Sequence, residues 1–177
     1  MDFIKTHSLN GNAATVEICE SNGAGETVTH SITNSNFGST EAAQLDNTAY
    51  PITAGNRSYA KYQRFHVTAM GGSTSILALK VWRTTALGGA ATHVTNARTS
   101  AYGGAATYAT PVATAITGAD QAMPTSAPAT NLGIAGALSG ALTATGYSDY
   151  LIHQIVTDAG DVAGASTTMH YQYDEVA

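Results

Sequence analysis

Residues 59–83 read YAKYQRFHVTAM (59–70), GGST (71–74) and SILALKVWR (75–83). In the first segment Phe65, Val67 and Ala69 fall on one side of a pleat, and Arg64, His66 and Thr68 on the other. Successive side chains of a strand point to opposite faces, so this period of two marks a half-buried β-strand. Gly71-Gly72-Ser73-Thr74 supplies turn chemistry, and the last segment alternates again. There Leu77, Leu79 and Val81 share one face, with Ile76, Ala78, Lys80 and Trp82 on the other. Two alternating runs around a Gly-rich connection predict a β-hairpin. Its second strand is apolar on both faces, as expected of a central strand or one covered by a partner.

The same signals recur outward from this stretch. Ala14–Cys19 and Glu26–Ile32, joined by Ser21-Asn22-Gly23-Ala24-Gly25, read as a second hairpin. Tyr150–Thr157 and Thr167–Tyr173, joined by Asp158–Gly164, read as a third. Tyr108, Thr110, Val112, Thr114 and Ile116 alternate as one more strand, and Leu132–Thr145 has a strand pair's composition. Between residues 33 and 58 the chain is Asn/Ser/Thr-rich and loop-like, with one possible helical turn at Thr40–Leu45 capped by Ser39 or Thr40. Gly88-Gly89-Ala90-Ala91-Thr92 returns as Gly103-Gly104-Ala105-Ala106-Thr107, too few copies for a solenoid. About eight short strands separated by turns predict a single all-β domain over residues 1–177, an antiparallel β-sandwich or jelly-roll-like fold. Long irregular loops or arms accompany it: an N-terminal arm at 1–12 and a small-residue region at 84–147.

Composition narrows the function. Only 11% of the 177 residues are charged, against about a quarter in an ordinary soluble domain. Mixed surface charge keeps lone monomers apart, so such a deficit points to a surface laid against neighbours. The net charge is −5, and the seven Lys and Arg are scattered. Phosphate contacts need clustered cations, so nucleic acid is disfavoured as a partner. Arg57, Lys61 and Arg64 read as a solvated strand face. No apolar run is long enough for a membrane span, and Met1–His7 lacks a signal-peptide core. The expectation is cytoplasmic synthesis without a cleaved signal.

Chemistry-bearing motifs are scarce. Cys19 is the only cysteine, which excludes an intramolecular disulfide and reads as a small apolar strand residue. His7, His30, His66, His93, His153 and His170 show no short-range ligand spacing, so the sequence points away from zinc. Asp174 and Glu175 are adjacent and face opposite ways on a strand, unlike a hydrolase's paired acids. Asp158 and Asp161 lie in a loop without the dense oxygen pattern of calcium loops. No nucleophile elbow, phosphate loop or dinucleotide fingerprint occurs. The expectation is therefore a non-enzymatic chain with no cofactor, no catalytic residue and no metal. Trp82 with Tyr59, Tyr62, Tyr147 and Tyr150 offers either a sugar platform or, by the blander reading, core tyrosines and an interface tryptophan.

Several stretches resemble small structural proteins of tailed-bacteriophage virions. They are Tyr50-Pro51-Ile52-Thr53-Ala54-Gly55-Asn56-Arg57-Ser58-Tyr59 running into Lys61-Tyr62, then Leu79-Lys80-Val81-Trp82, Gly146-Tyr147-Ser148-Asp149-Tyr150-Leu151 and Tyr171-Gln172-Tyr173-Asp174-Glu175. The resemblance implies a capsid decoration (cement) protein, located in the virion, with the major capsid protein or other virion proteins and its own copies as partners. A tail-tube or connector protein and a virion carbohydrate-binding module are the alternatives. For an assembling subunit, the expected interface residues are Phe3, Ile4, Arg57, Arg64, Ile76 and Trp82.

Overall fold

The computed structural model describes residues 2–7, 14–23, 25–40, 42, 45–84, 87, 91–99, 121–128, 141–161 and 166–177. All regular structure among them is strand: β1 Asp2–His7, β2 Thr15–Asn22, β3 Thr27–Thr29, β4 Lys61–Ala69, β5 Ser75–Arg83, β6 Thr92–Thr99, β7 Gln121–Ala122, β8 Gly146–Tyr147, β9 Tyr150–Val156 and β10 Thr168–Val176. The expected all-β class is the observed one. One sheet has the order β1-β10-β5; the larger runs β3-β2-β4-β9-β6-β7, with β8 also on β4. Every pairing is antiparallel except β1 with β10, which is parallel from Asp2↔Thr168 to His7↔Tyr173.

The predicted strands at 59–83 exist, but they do not form a hairpin. β4 has β2 along one edge, and β9 and β8 along the other. With both edges of β4 occupied, β5 has nowhere to pair in that sheet. Gly71 takes φ +57°, the Ser73 amide closes a turn on the Met70 carbonyl, and the Thr74 amide bonds the Val176 carbonyl at 2.7 Å. The chain thereby crosses into the other sheet, where β5 joins β10. The segment after β9 does the same: β9 lies between β4 and β6, while β10 belongs to the smaller sheet. Only β2 and β3 form the expected hairpin. Residues 108–116, residues 132–140 of the strand pair expected at 132–145, half of the Thr40–Leu45 turn and the second Gly-Gly repeat lie outside the described residues; Leu142 forms an isolated bridge with Ile76.

One hydrophobic cluster draws on both sheets. Val16, Ile18, Phe65, Val67 and Leu151 come from the larger sheet, and Ile76, Leu79, Val81, Met169, Tyr171 and Tyr173 from the smaller. Ile76, expected beside Trp82 on an outward face, is fully buried in this core. A bulge explains the change. Lys80 pairs with Gln172 and Leu77 with Asp174, so Ala78 and Leu79 together stand opposite Tyr173. Ala78 adopts φ +53°. Two residues against one invert the alternation, which turns Ile76 to the side of Leu79 and Val81 and leaves Trp82 on the opposite face. Ile76→Ala should therefore cost about 2–5 kcal/mol, and Leu77→Ala clearly less, read as shifts in urea midpoint at constant m-value.

The expected solvated face at Arg57–Arg64 is also corrected. Lys61 is wholly buried, and its ammonium lies 3.1 Å from the equally buried Glu20 carboxylate. It also donates to the Ala42 carbonyl at 2.6 Å and to Asn22 Oδ1 at 3.4 Å. Gln63 donates to the other Glu20 oxygen at 2.9 Å and accepts from the Tyr171 hydroxyl, linking the two sheets. Lys61 and Gln63 share the face of Phe65 and Val67, so the inner face of β4 is apolar at one end and ionic at the other. A buried charge survives only when paired and hydrogen-bonded, and each polar group here has such partners.

Candidate functional site

Among the described residues, the outer face of the larger sheet carries a cluster of four metal-capable side chains. Period two sets Glu17 and Cys19 on that face of β2, opposite Val16 and Ile18. Register then places His66 of β4 directly across from Glu17, and Tyr147 of β8 across from His66. The β2–β3 hairpin pairs Glu20 with Thr29, so the next position out, His30, falls beside Cys19. Three neighbouring segments thus deliver four donors to one patch.

The distances are short. The Nδ1 atoms of His30 and His66 lie 2.7 and 2.6 Å from Glu17 Oε1. Cys19 Sγ is 3.4 Å from His30 Nδ1 and 3.5 Å from Glu17 Oε1. All four ligand atoms fall within 4.8 Å of one another. Ser31, held at φ +50°, donates its hydroxyl to Glu17 Oε2. His66 stacks on Tyr147 with centroids 4.1 Å apart and planes 13° from parallel. Burial opposes ionisation of Glu17, but hydrogen bonds from Ser31, His66, His30 and Cys19 outweigh it and hold the carboxyl down at about 2. Burial, together with the Glu17 charge, pushes the Cys19 thiol up to about 12. A neutral buried thiol beside a carboxylate is a poor nucleophile.

Next to the cluster, the Arg64 guanidinium sits 3.8 Å above the Tyr147 ring and 4.2 Å from that of Tyr150. It also reaches Glu26 at 3.5 Å. The Tyr150 hydroxyl donates to Glu26 and lies 2.8 Å from Ser21 Oγ. Burial and the Glu26 bond push that phenol up to about 12.

The residues expected at an assembly interface are dispersed. Phe3 and Ile4 belong to β1, and Ile76 is core. Arg64 is mostly covered, with 14% of its side chain exposed. Arg57 forms an isolated bridge to Val156. Trp82 stacks on His170 at 5.0 Å, on the smaller sheet. The five aromatics weighed as a sugar platform are not on one surface: Trp82 is on the smaller sheet, while Tyr62 and Tyr150 are buried edge-to-face on the larger. Asp158 and Asp161 close a turn on themselves, Asp161 Oδ2 accepting from the Asp158 amide at 2.6 Å. Sequence reasoning missed the four-donor patch because it looked for ligands a few residues apart. The available signal was Glu17-x-Cys19 on one face of a strand, with His66 on its neighbour.

The chain matches no family model, no curated protein and no solved structure. Among the described residues no helix is long and apolar enough to cross a membrane.

Proposed function

We propose that this chain is a non-enzymatic structural subunit of a phage virion, decorating or cementing the capsid shell. The observation that carries the reading is the edge strand β1. It has β10 on one side and no second strand partner among the described residues. An open strand edge presents unpaired amides and carbonyls and is a template for pairing with another chain. The charge deficit of the chain as a whole, with 11% charged residues, adds to this, since it suits a protein laid against neighbours. In the same reading the two sheets face each other across the shared core as a β-sandwich. Trp82, half-buried and turned away from that core, lies on the outer face of the sheet that ends in β1.

A shell gains stability from subunits that bind only its assembled form, by mass action. Weak contacts repeated across an oligomer add through effective concentration. The test is Trp82→Ala, with imaging of assembled particles. The expected variant keeps its strand spectrum, loses about 1 kcal/mol or less of stability and no longer associates with particles. Unfolding of the isolated variant, or undiminished association, removes Trp82 from the interface. Density over the whole shell at a copy number near that of the capsid protein supports decoration. Discrete rings of fixed symmetry point instead to a connector or tail-tube subunit.

A further inference from the structure

We propose that Glu17, Cys19, His30 and His66 form a four-coordinate zinc site on the outer face of the larger sheet. The donor set is one thiolate, two imidazoles and one carboxylate, which suits Zn²⁺ and disfavours the hard, oxygen-seeking Ca²⁺ and Mg²⁺. Tetrahedral zinc at about 2.3 Å from sulfur and about 2.0–2.1 Å from nitrogen or oxygen separates its ligand atoms by about 3.3–3.6 Å. Cys19 Sγ already lies 3.4 Å from His30 Nδ1 and 3.5 Å from Glu17 Oε1. The two His–Glu separations, 2.7 and 2.6 Å, need only widen by about 0.6 Å to meet the same geometry. The other two separations, from the His66 ligand nitrogen to that of His30 and to Cys19 Sγ, lie within 4.8 Å and would close on the ion by rotation of the imidazoles; His30 is about half exposed, so its ring has room to turn.

The surroundings fit a metal site as well. Ser31 holds the far oxygen of Glu17 and leaves Oε1 toward the histidines. The Tyr147 ring fixes the plane of His66. Such outer contacts orient metal ligands and contribute to affinity. On binding, the Cys19 thiol proton and any proton on the coordinating imidazole nitrogens leave to solvent, and the ion takes their place between the four donors. With all four positions filled by protein the site is structural. It ties β2, the segment after β3, and β4 together in a chain whose single cysteine precludes an internal disulfide.

The test uses the full chain, freed of metal and titrated with Zn²⁺ against a chromophoric chelator, with Co²⁺ as the spectroscopic probe. The expected result is one equivalent per chain, tetrahedral Co²⁺ bands and a thiolate-to-metal charge-transfer band. His30→Ala, at an exposed position, and His66→Ala should each weaken binding by at least roughly tenfold, as should the positioning variant Ser31→Ala to a smaller degree. Cys19→Ser should abolish the charge-transfer band. The melting temperature should rise with Zn²⁺ in the wild type and not in His30→Ala. Absence of stoichiometric Zn²⁺ binding, or binding that His30→Ala leaves unchanged in a folded variant, overturns the proposal and leaves a hydrogen-bonded His–Glu–His cluster.

Discussion

Lys61→Met is expected to destabilise the fold by about 3–5 kcal/mol, the cost typical of removing one partner from a buried ion pair. The side chain lost is similar in length, so packing changes little and the deficit is electrostatic. Glu20 would keep Gln63, Asn22 and Ser35 as donors but lose the cation paired with its carboxylate. Glu20→Gln in the Lys61→Met background should recover part of the loss by removing the uncompensated charge. A double-mutant cycle then reads the coupling directly. Chemical denaturation of the four proteins provides the measurement. A loss below about 1 kcal/mol for Lys61→Met would show that water reaches the pair and that the core is more open there than described.

The second large effect is a loss of stability in acid. His153 is wholly buried, and burial pushes its imidazole down to about 3 from an ordinary 6.5. It stands across from Lys61 in the β4–β9 ladder, so the two share a face. Between pH 6.5 and 3 the unfolded chain binds a proton at this position and the folded chain does not. Stability from this residue is therefore intact above pH 6.5 and is lost as the pH falls, by up to about 1.4 kcal/mol per unit. From pH 6.5 to 4.5 that amounts to about 2–3 kcal/mol. Glu17 adds to the fall below its ordinary 4.5, in the same direction. The difference between the wild type and His153→Gln isolates the histidine: the variant's stability should be flatter across this window. Parallel profiles for the two proteins would mean that His153 takes up its proton while folded.

These residues also show what the sequence made legible. The strands could be read because alternation is a local property: β4, β5, β9 and β10 lie where Phe65/Val67, Leu79/Val81, Leu151/Ile155 and Met169/Tyr171 place them. Pairing could not, because alternation around Gly71-Gly72 is the same whether the chain folds back beside itself or crosses to another sheet. The decision rests on what occupies the edges of β4, and β2 and β9 come from distant parts of the chain. Lys61 looks solvated in sequence because its partner Glu20 is brought by register, and Ile76 looks outward because the bulge at Ala78 leaves no compositional trace. The Glu17, Cys19, His30 and His66 patch escaped for a similar reason. Glu17 and Cys19 share β2, but His30 and His66 come from other segments, and only the ladder makes the four neighbours.

The parallel strand β1 has a consequence in time. Its partner β10 begins at Thr168, so Asp2–His7 is made well before the strand that it pairs with. At roughly 5–20 residues per second, synthesis of the intervening chain takes on the order of ten to thirty seconds. Throughout that interval β1 lacks its native partner, and the β10 of a finished copy is already flanked by its own β1 and β5. The smaller sheet can therefore close only after β10 has been made, and until then β1 is a strand without its ladder.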